Sequence, residues 1–320
     1  MSYRLIGKNF TPPDILGKVT GKAKFSEDFR AEGMVFCKLM TSPMPHARVV
    51  NIDASAALKM PGVVAVLTAE DVPPPPAPAQ PVFTMEPLFV GDPILAVAAE
   101  NETLAADALD AIKVEYEPLP YTVDPLQSLF PGGPNARSDG NSVGGRGVQD
   151  VKWTARDFAA AGEGELPMGK HAAEWDYGDI EAGFKKAKLV LDETFVTASL
   201  SHLCMEPRSA MAYWQNGKCY MHGSTQSQSF AHPYVARYVG VKPEDLVFIS
   251  EYCGGGFGSK LAAYPIMAVP AHMSKKIGRP VMMRINRAEE YCIGSARPGF
   301  QGRIRMGFSA DGLITAADLY

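Results

Sequence analysis

Residues 254–260 read Gly-Gly-Gly-Phe-Gly-Ser-Lys, between an apolar run at Leu246 to Ser250 and a second apolar run that starts at Ala262. The first run predicts a strand and the second predicts a helix. Glycines at such a junction permit positive φ angles and a close approach of the backbone to a ligand, while free N–H groups at a helix start can bind an anion. The motif therefore predicts a binding site for a group that carries oxygen atoms.

Three explanations compete for this glycine motif. A nucleotide P-loop needs Ser or Thr after its lysine, and here Lys260 is followed by Leu261. A dinucleotide-binding fingerprint that starts at Gly254 needs its third glycine at position 259, which is Ser259. The third explanation is a turn that only reverses the chain, and the motif alone leaves this alternative open.

The composition is that of a globular chain of 320 residues, 46% hydrophobic and 21% charged. Such a length suggests about two domains. The net charge of -4, without a basic cluster interleaved with aromatic residues, argues against nucleic acid as a partner. The N-terminus lacks an apolar leader, and no apolar run reaches the roughly 18 residues that span a bilayer. We therefore expect a cytoplasmic protein without a membrane span.

The cysteines predict neither a metal site nor a disulfide framework. They are odd in number and widely spaced, and no Cys-x-x-Cys pair is present. Most of them are expected to be buried thiols. The five are Cys37, Cys204, Cys219, Cys253 and Cys292.

The order of apolar runs predicts an α/β (α+β) fold in which strands dominate. Residues 1–125 form the first predicted domain. Residues 126–168, rich in Gly, Pro, Ser, Asn and Asp, predict a linker. Before it, the run Pro73 to Pro78 predicts an extended surface segment, and a stiff connecting loop is favoured there over a recognition peptide. The predicted strands of the first domain are 35–40, 63–67, 94–99 and 113–116, and its predicted helix is 102–112.

Residues 169–320 form the second predicted domain, which continues the alternation of strands and helices. Asn216-Gly217 between two apolar runs is a strong signal for a β-hairpin. The last pattern, from Ile314 to Tyr320, predicts a strand that stops within its pattern, so the domain is expected to be incomplete at its C-terminus. The other predicted helices are 179–188, 227–240 and 262–277, and the other predicted strands are 189–196, 246–250, 281–285 and 303–308.

Short motifs on both sides of the linker follow one another in the order of a known family. Together they resemble the xanthine oxidase/aldehyde oxidase family, in its α/β hammerhead domain followed by its first molybdenum-cofactor-binding domain. Each motif is weak and their joint order is strong. The motifs are the segments 17–25, 43–48, 61–63, 90–93, 114–120, 202–207, 212–214, 224–228, 254–260, 278–281, 287–290 and 296–298.

The resemblance implies a mixed α/β molybdopterin-binding domain and names its cofactor-binding residues. By position they are Gln226, Gly255, Gly256, Phe257 and Gly258. The implied cofactor is molybdenum-molybdopterin, as a pterin dinucleotide. Because this polyanion brings its own sulfur ligands, the protein needs close backbone donors, and no residue is expected to bind the metal directly. Family members oxidise an aldehyde or the C–H of an N-heteroaromatic ring with oxygen taken from water.

Two positions depart from the purine-oxidising members of that family. Leu200 stands where those members carry a glutamine, and Leu261 stands where they carry a glutamate. Both changes remove a polar group expected near the metal or the substrate. The sequence therefore predicts an apolar substrate pocket that disfavours purines. Among the histidines, His202 and Glu206 are expected to be a structural hydrogen-bonding pair, and a helical metal site is the alternative.

The catalytic general base of this family, a glutamate, has no counterpart in the 320 residues. The resemblance implies that it lies in a second cofactor-binding region, either on a separate C-terminal polypeptide or in a half lost by truncation. Other implied partners are a small subunit with [2Fe–2S] clusters and a medium subunit with FAD. We expect no turnover from the chain alone. A non-catalytic cofactor-binding or assembly module is the alternative from a different class.

Overall fold

The structure is a computed structural model that describes residues 4–75, 80–144, 147–161, 165–168 and 173–320. The end of the predicted proline segment, Pro76 to Pro78, and parts of the predicted linker lie outside the described residues. The helices are α1 Ile15–Val19, α2 Glu102–Asp110, α3 Ala155–Ala161, α4 Ile180–Lys186, α5 Gln228–Val239, α6 Ala268–Ile277 and α7 Arg287–Ile293.

The strands confirm the predicted mixture of helix and strand. They are β1 Val35–Thr41, β2 Ala47–Asp53, β3 Val63–Leu67, β4 Pro93–Ala99, β5 Lys113–Pro118, β6 Ser142–Gly144, β7 Gly147–Gln149, β8 Leu189–Thr197, β9 Leu200–Ser201, β10 Ser209–Gln215, β11 Lys218–Gly223, β12 Leu246–Ile249, β13 Val281–Arg284, β14 Ala296–Arg297, β15 Phe300–Phe308 and β16 Ile314–Leu319.

The chain forms two compact units, and neither is continuous in sequence. The first comprises Met1–Met44, Arg48–Glu117 and Leu203–Gly294. The second comprises Pro45–Ala47, Pro118–His202 and Ser295–Tyr320. The predicted domains at 1–125 and 169–320, with a linker at 126–168, stay a prediction about the sequence. The compact units do not follow that division, because each unit contains residues from both predicted domains.

In the first unit, seven of the described strands form one sheet in the order β12-β11-β10-β13-β1-β4-β3. Strand β1 pairs in parallel with β13, Val35 opposite Val281, which joins early and late segments of the chain. Strands β10 and β11 form the predicted hairpin, in which Gln215 pairs with Lys218. The two residues of its turn have positive φ angles, 52° at Asn216 and 77° at Gly217, as the signal at this dipeptide predicts.

Strand β4 is buried at all seven positions because helices cover both faces of this part of the sheet. Leu95 and Val97 pack in a cluster with Ala108 of α2. Their neighbours Ala96 and Ala98 pack in the larger cluster that also holds Val269, Ala271 and Met273 of α6. Burial on both faces explains why β4 reads as a continuous apolar run rather than as an alternating one.

One predicted helix begins later than the sequence pattern suggests. The expected helix from Ala262 is wrong over its first six residues, since α6 begins at Ala268 after a 3₁₀ turn at Pro265–Met267. Proline fixes φ and lacks an N–H, so Pro265 is placed at the start of that turn. The helix start therefore does not contribute its free N–H groups to the glycine motif, and the motif itself must provide the donors.

The second unit contains a sheet of three described strands in the order β16-β15-β8, with α4 packed against it. Nine residue pairs join β15 to β8, from Phe300 opposite Thr197 to Phe308 opposite Leu189. Strand β16 pairs with β15 on one side. No helix of the described residues is both long and apolar enough to cross a membrane.

We predict that Leu95→Ala lowers the free energy of unfolding by about 2–5 kcal/mol, because Leu95 is fully buried and its truncation leaves a cavity between β4 and α2. Urea denaturation followed by circular dichroism measures the change. The control is Leu313→Ala in an exposed turn, which should cost less than about 0.5 kcal/mol. Equal losses in the two variants would contradict the described core.

Candidate functional site

The glycine motif at 254–260 follows β12 and forms a loop whose shape only glycine permits at most positions. The φ angles of Gly255 and Gly258 are 107° and 101°. A Cβ atom on Gly254 would lie 2.5 Å from Cβ of Glu206, and one on Gly256 would lie 2.2 Å from Oε1 of Gln226. Contacts this short are not tolerated, so side chains from two other segments occupy the space that the missing Cβ atoms leave.

The backbone N–H groups of this loop divide into two sets. The N–H of Gly254 donates to Oε2 of Glu206 at 2.8 Å, and the N–H of Gly258 donates to Oε1 of Gln226 at 2.9 Å. Between them, the N–H groups of Gly255, Gly256 and Phe257 have no acceptor among the described residues. Phe257 itself has a positive φ of 52°. Three consecutive free donors in such a turn are suited to an anion or to polarised oxygen atoms.

Lys260 anchors the end of the loop from inside the protein. Its side chain is fully buried, and Nζ lies 3.1 Å from Oε2 of Glu206 and 2.7 Å from Oγ of Ser224. Nζ also donates to the backbone oxygen of Glu206 at 2.6 Å. The lysine therefore has a structural role. This agrees with the sequence, which excludes a nucleotide P-loop.

A second buried ion pair holds the same end of the loop, and the sequence reasoning missed it. Arg208, with no exposed surface, forms a salt bridge with Glu290 and donates to the backbone oxygen of Ser259 at 2.6 Å. Its guanidinium lies 4.8 Å from the ring centroid of Tyr264. The sequence signal that could have indicated this ion pair is the charged residue Arg208 directly before the buried strand β10.

Two weakly acidic groups near the loop, a thiol and a phenol, are held in their neutral forms. Burial raises the pKa of the Cys253 thiol, and burial also raises the pKa of the Tyr264 phenol. Neither group is therefore an anionic nucleophile near neutral pH. The expected burial of thiols is found at Cys37, Cys204 and Cys219, whereas Cys292 is exposed.

The predicted hydrogen-bonding pair of His202 and Glu206 is wrong, because the two residues do not lie on a helix and each has other partners. Leu203 between them has a φ of 51°, which turns the chain out of helical geometry. Nδ1 of His202 lies 3.1 Å from the backbone oxygen of Ser295, while Glu206 binds Lys260. No group of three potential metal ligands occurs among the residues that the structure describes.

The structure brings four of the predicted cofactor residues, Gly255 to Gly258, into one loop and places Gln226 against it. Gln226 is exposed, and its backbone N–H is fixed by the oxygen of Lys260 at 3.1 Å. The two predicted pocket residues are also exposed, Leu261 by 42% directly after the loop and Leu200 by 64% at the start of β9. Their role in substrate binding stays a prediction.

Comparisons with known proteins agree with this fold. Residues 165–320 match the molybdopterin cofactor-binding domain, and residues 20–120 match the a/b hammerhead domain of aldehyde oxidase and xanthine dehydrogenase. CO dehydrogenase from Oligotropha carboxidovorans superimposes with a TM-score of 0.79 at 26% identity, covering 98% of this chain and 39% of that chain. Quinoline 2-oxidoreductase from Pseudomonas putida 86 shares the fold with a TM-score of 0.72.

Two curated relatives align with nearly the whole chain. The nicotinate dehydrogenase large molybdopterin subunit of Eubacterium barkeri is 29% identical, over 99% of this chain and 70% of its own length. A probable xanthine dehydrogenase subunit of Bacillus subtilis is 32% identical, over 96% of this chain and 38% of its own length. The chain thus spans between about two fifths and about seven tenths of these relatives.

The chain thus contains a hammerhead domain followed by a molybdopterin cofactor-binding domain. The chain belongs to the xanthine dehydrogenase/aldehyde oxidase family, and its molybdopterin cofactor-binding domain contains the glycine loop.

We predict that Lys260→Met destabilises the protein by about 3–5 kcal/mol, because it leaves the Glu206 carboxylate buried without its cation. Thermal and urea unfolding measure the loss. The matched control is Lys276→Met, which breaks a partly exposed pair with Asp71 and should cost at most about 1 kcal/mol. A Lys260→Met protein as stable as the control would show that the buried pair does not hold the loop.

Proposed function

We propose that this chain is part of the molybdopterin-binding catalytic subunit of a molybdenum hydroxylase, an oxidoreductase that acts on an aldehyde or on the C–H of an N-heteroaromatic ring. The observation that carries the proposal is the row of three backbone donors at Gly255, Gly256 and Phe257, which find no acceptor among the described residues. The loop that presents them lies within the matched cofactor-binding domain.

The described residues fit molybdenum-molybdopterin. The cofactor supplies its own sulfur ligands to the metal, so a loop of N–H donors without a cluster of Cys or His ligands suits it. The N–H groups of Gly255, Gly256 and Phe257 would hold it, together with the Gln226 carboxamide. When bound, this group supplies two-electron oxidation of the substrate carbon with oxygen from water.

Gly258 has a different role from its neighbours in this proposal. Its N–H already donates to Oε1 of Gln226, which fixes the carboxamide and leaves its Nε2 as the donor for the cofactor. Gln226 and Gly258 thus position one another. The buried Lys260 and Arg208 keep the loop in this shape without contacting the cofactor themselves. Preorganised donors of this kind need no rearrangement when the ligand binds.

The rest of the active site is proposed to come from outside these residues. No glutamate of this chain matches the family's general base, so we expect a second molybdenum-binding region to provide it, in a separate polypeptide or in continued chain. We also propose a [2Fe–2S] subunit and an FAD subunit as electron-transfer partners, in a cytoplasmic complex. The CO dehydrogenase large chain, the nicotinate dehydrogenase large subunit and the xanthine dehydrogenase subunit of Bacillus subtilis are themselves components of larger enzymes by name.

We predict that Gln226→Ala and Gly256→Ala each lower the molybdenum content of the purified complex by about 10- to 100-fold, because each disrupts the donors that face the cofactor. Gly256→Ala acts by displacing Gln226, whose Oε1 lies 2.2 Å from the new Cβ position. Inductively coupled plasma mass spectrometry gives the metal per protein. The control Gln215→Ala, exposed at the end of β10, should keep the wild-type content. Wild-type molybdenum in folded Gln226→Ala would contradict the proposal.

For the assembled enzyme, we expect a higher kcat/KM with an apolar aromatic aldehyde or heteroaromatic ring than with xanthine or hypoxanthine. Leu200 and Leu261 offer no hydrogen bonds to a purine, and a site without such partners leaves the polar groups of the purine unpaired. Steady-state kinetics over a panel of substrates measure the ratio of kcat/KM for the apolar substrate to that for the purine. The Leu261→Glu variant should have a smaller ratio. Xanthine or hypoxanthine as the best substrate would overturn the apolar pocket.

A further inference from the structure

The carbonyl groups of the glycine loop determine the direction of its three free N–H groups. In a planar trans peptide, the C=O of one residue and the N–H of the next residue point in opposite directions. The N–H groups of Gly255, Gly256 and Phe257 therefore take their directions from the carbonyl group of the residue before each. All three of these carbonyl oxygens accept hydrogen bonds from within the first unit. The loop is thus held through its acceptors, and its free donors point the other way.

Two of the three carbonyl oxygens are held by backbone N–H groups. The N–H of Glu206 donates to the oxygen of Gly254 at 3.2 Å, and the N–H of Ser259 donates to the oxygen of Gly256 at 2.8 Å. Sγ of Cys204, a buried thiol, lies 3.5 Å from the same oxygen of Gly256 and is its second donor. These two peptides therefore keep a backbone restraint whatever side chains surround them.

The middle peptide, between Gly255 and Gly256, depends on one side chain. Among the described residues, the only hydrogen bond to the oxygen of Gly255 comes from Sγ of Cys253 at 3.4 Å. Neither glycine of this peptide has a Cβ, so the peptide plane can rotate at little steric cost. Burial raises the pKa of the Cys253 thiol, which keeps the proton on sulfur near neutral pH. The thiol is therefore available as a donor to the one peptide of the three that has no backbone restraint.

We propose that Cys253 is a positioning residue of the cofactor site, whose S–H group holds the carbonyl of Gly255 and so directs the N–H of Gly256 toward the cofactor. The inference rests on the proposed function and adds to it the residue that orients the central one of the three donors. Gly256 is buried, and an N–H without an acceptor there costs free energy until a ligand accepts from it. An unrestrained peptide could avoid that cost by rotating, and the thiol opposes the rotation.

The test observes this peptide directly by nuclear magnetic resonance, in the 320-residue chain without cofactor. Glycine labelled with ¹³C at the carbonyl and with ¹⁵N at the amide gives carbonyl–amide correlations only where one glycine follows another. The sequence contains four such pairs, at 132–133, 144–145, 254–255 and 255–256. The 255–256 correlation combines the carbonyl that Cys253 binds with the N–H of Gly256. The 254–255 correlation is an internal reference from the same loop.

We expect Cys253→Ala to move the carbonyl resonance of Gly255 upfield and to broaden the N–H resonance of Gly256, because the peptide loses its only restraint. The 254–255 correlation should stay near its wild-type position, since its carbonyl keeps the N–H of Glu206. Cys253→Ser retains a donor and should restore the 255–256 correlation. In the purified complex, Cys253→Ala should lower the molybdenum content by about 3- to 10-fold, the loss expected for one hydrogen bond, and Cys253→Ser should stay within about twofold of wild type.

The matched control is Cys204→Ala, which removes the other thiol under the loop while Ser259 still holds the oxygen of Gly256. Truncating this buried thiol should lower the melting temperature and leave the 255–256 correlation in place. An unchanged 255–256 correlation in Cys253→Ala, equal spectral changes in Cys204→Ala and Cys253→Ala, or a Cys253→Ser spectrum like that of Cys253→Ala would each overturn the proposal.

Infrared spectroscopy tests the same hydrogen bond in case Cys253→Ala does not fold. In the difference spectrum of the wild-type chain and Cys253→Ser, the S–H stretching band that is lost should lie at the lowered frequency of a hydrogen-bonded thiol. A band at the frequency of a free thiol would also overturn the proposal. Both spectra are recorded without molybdenum, so they test the role of Cys253 separately from the molybdenum content of Gln226→Ala, which tests the proposed function.

Discussion

The salt bridge between Lys260 and Glu206 is the interaction on which the shape of the glycine loop depends. Both side chains are buried, and removing two charges from water costs several kcal/mol per ion unless every hydrogen-bonding position is used. Ser224 donates to Oε2 of Glu206 at 2.7 Å, and the N–H of Gly254 donates to the same carboxylate. One ion pair therefore joins the start of the loop, its end and two other segments of the first unit.

This arrangement separates the anchoring of the loop from the binding of a ligand. Glu206 takes the N–H of Gly254 and Gln226 takes the N–H of Gly258, and the three donors between them have no acceptor among the described residues. Because polar side chains hold both ends, the three N–H groups between them remain available to a ligand, and the small residues keep the backbone accessible.

Much of this could be predicted from the sequence, because the signals were local. The Asn216-Gly217 turn and the continuous apolar run at 94–99 follow from turn geometry and burial on two faces. The pairing of Arg208 with Glu290 could not be predicted, since the residues are 82 positions apart and a single sequence does not show contacts. The helix at 262 was placed too early because its apolar composition is helical while Pro265 and the loop anchors determine the backbone there.

Backbone donors without an acceptor in the described chain identify the candidate functional surface. In the first unit the unsatisfied groups are polar, three N–H donors of the glycine loop, and a ligand with oxygen atoms would satisfy them. An N–H group that has no acceptor within the folded chain can donate to a bound ligand without breaking a hydrogen bond inside the protein.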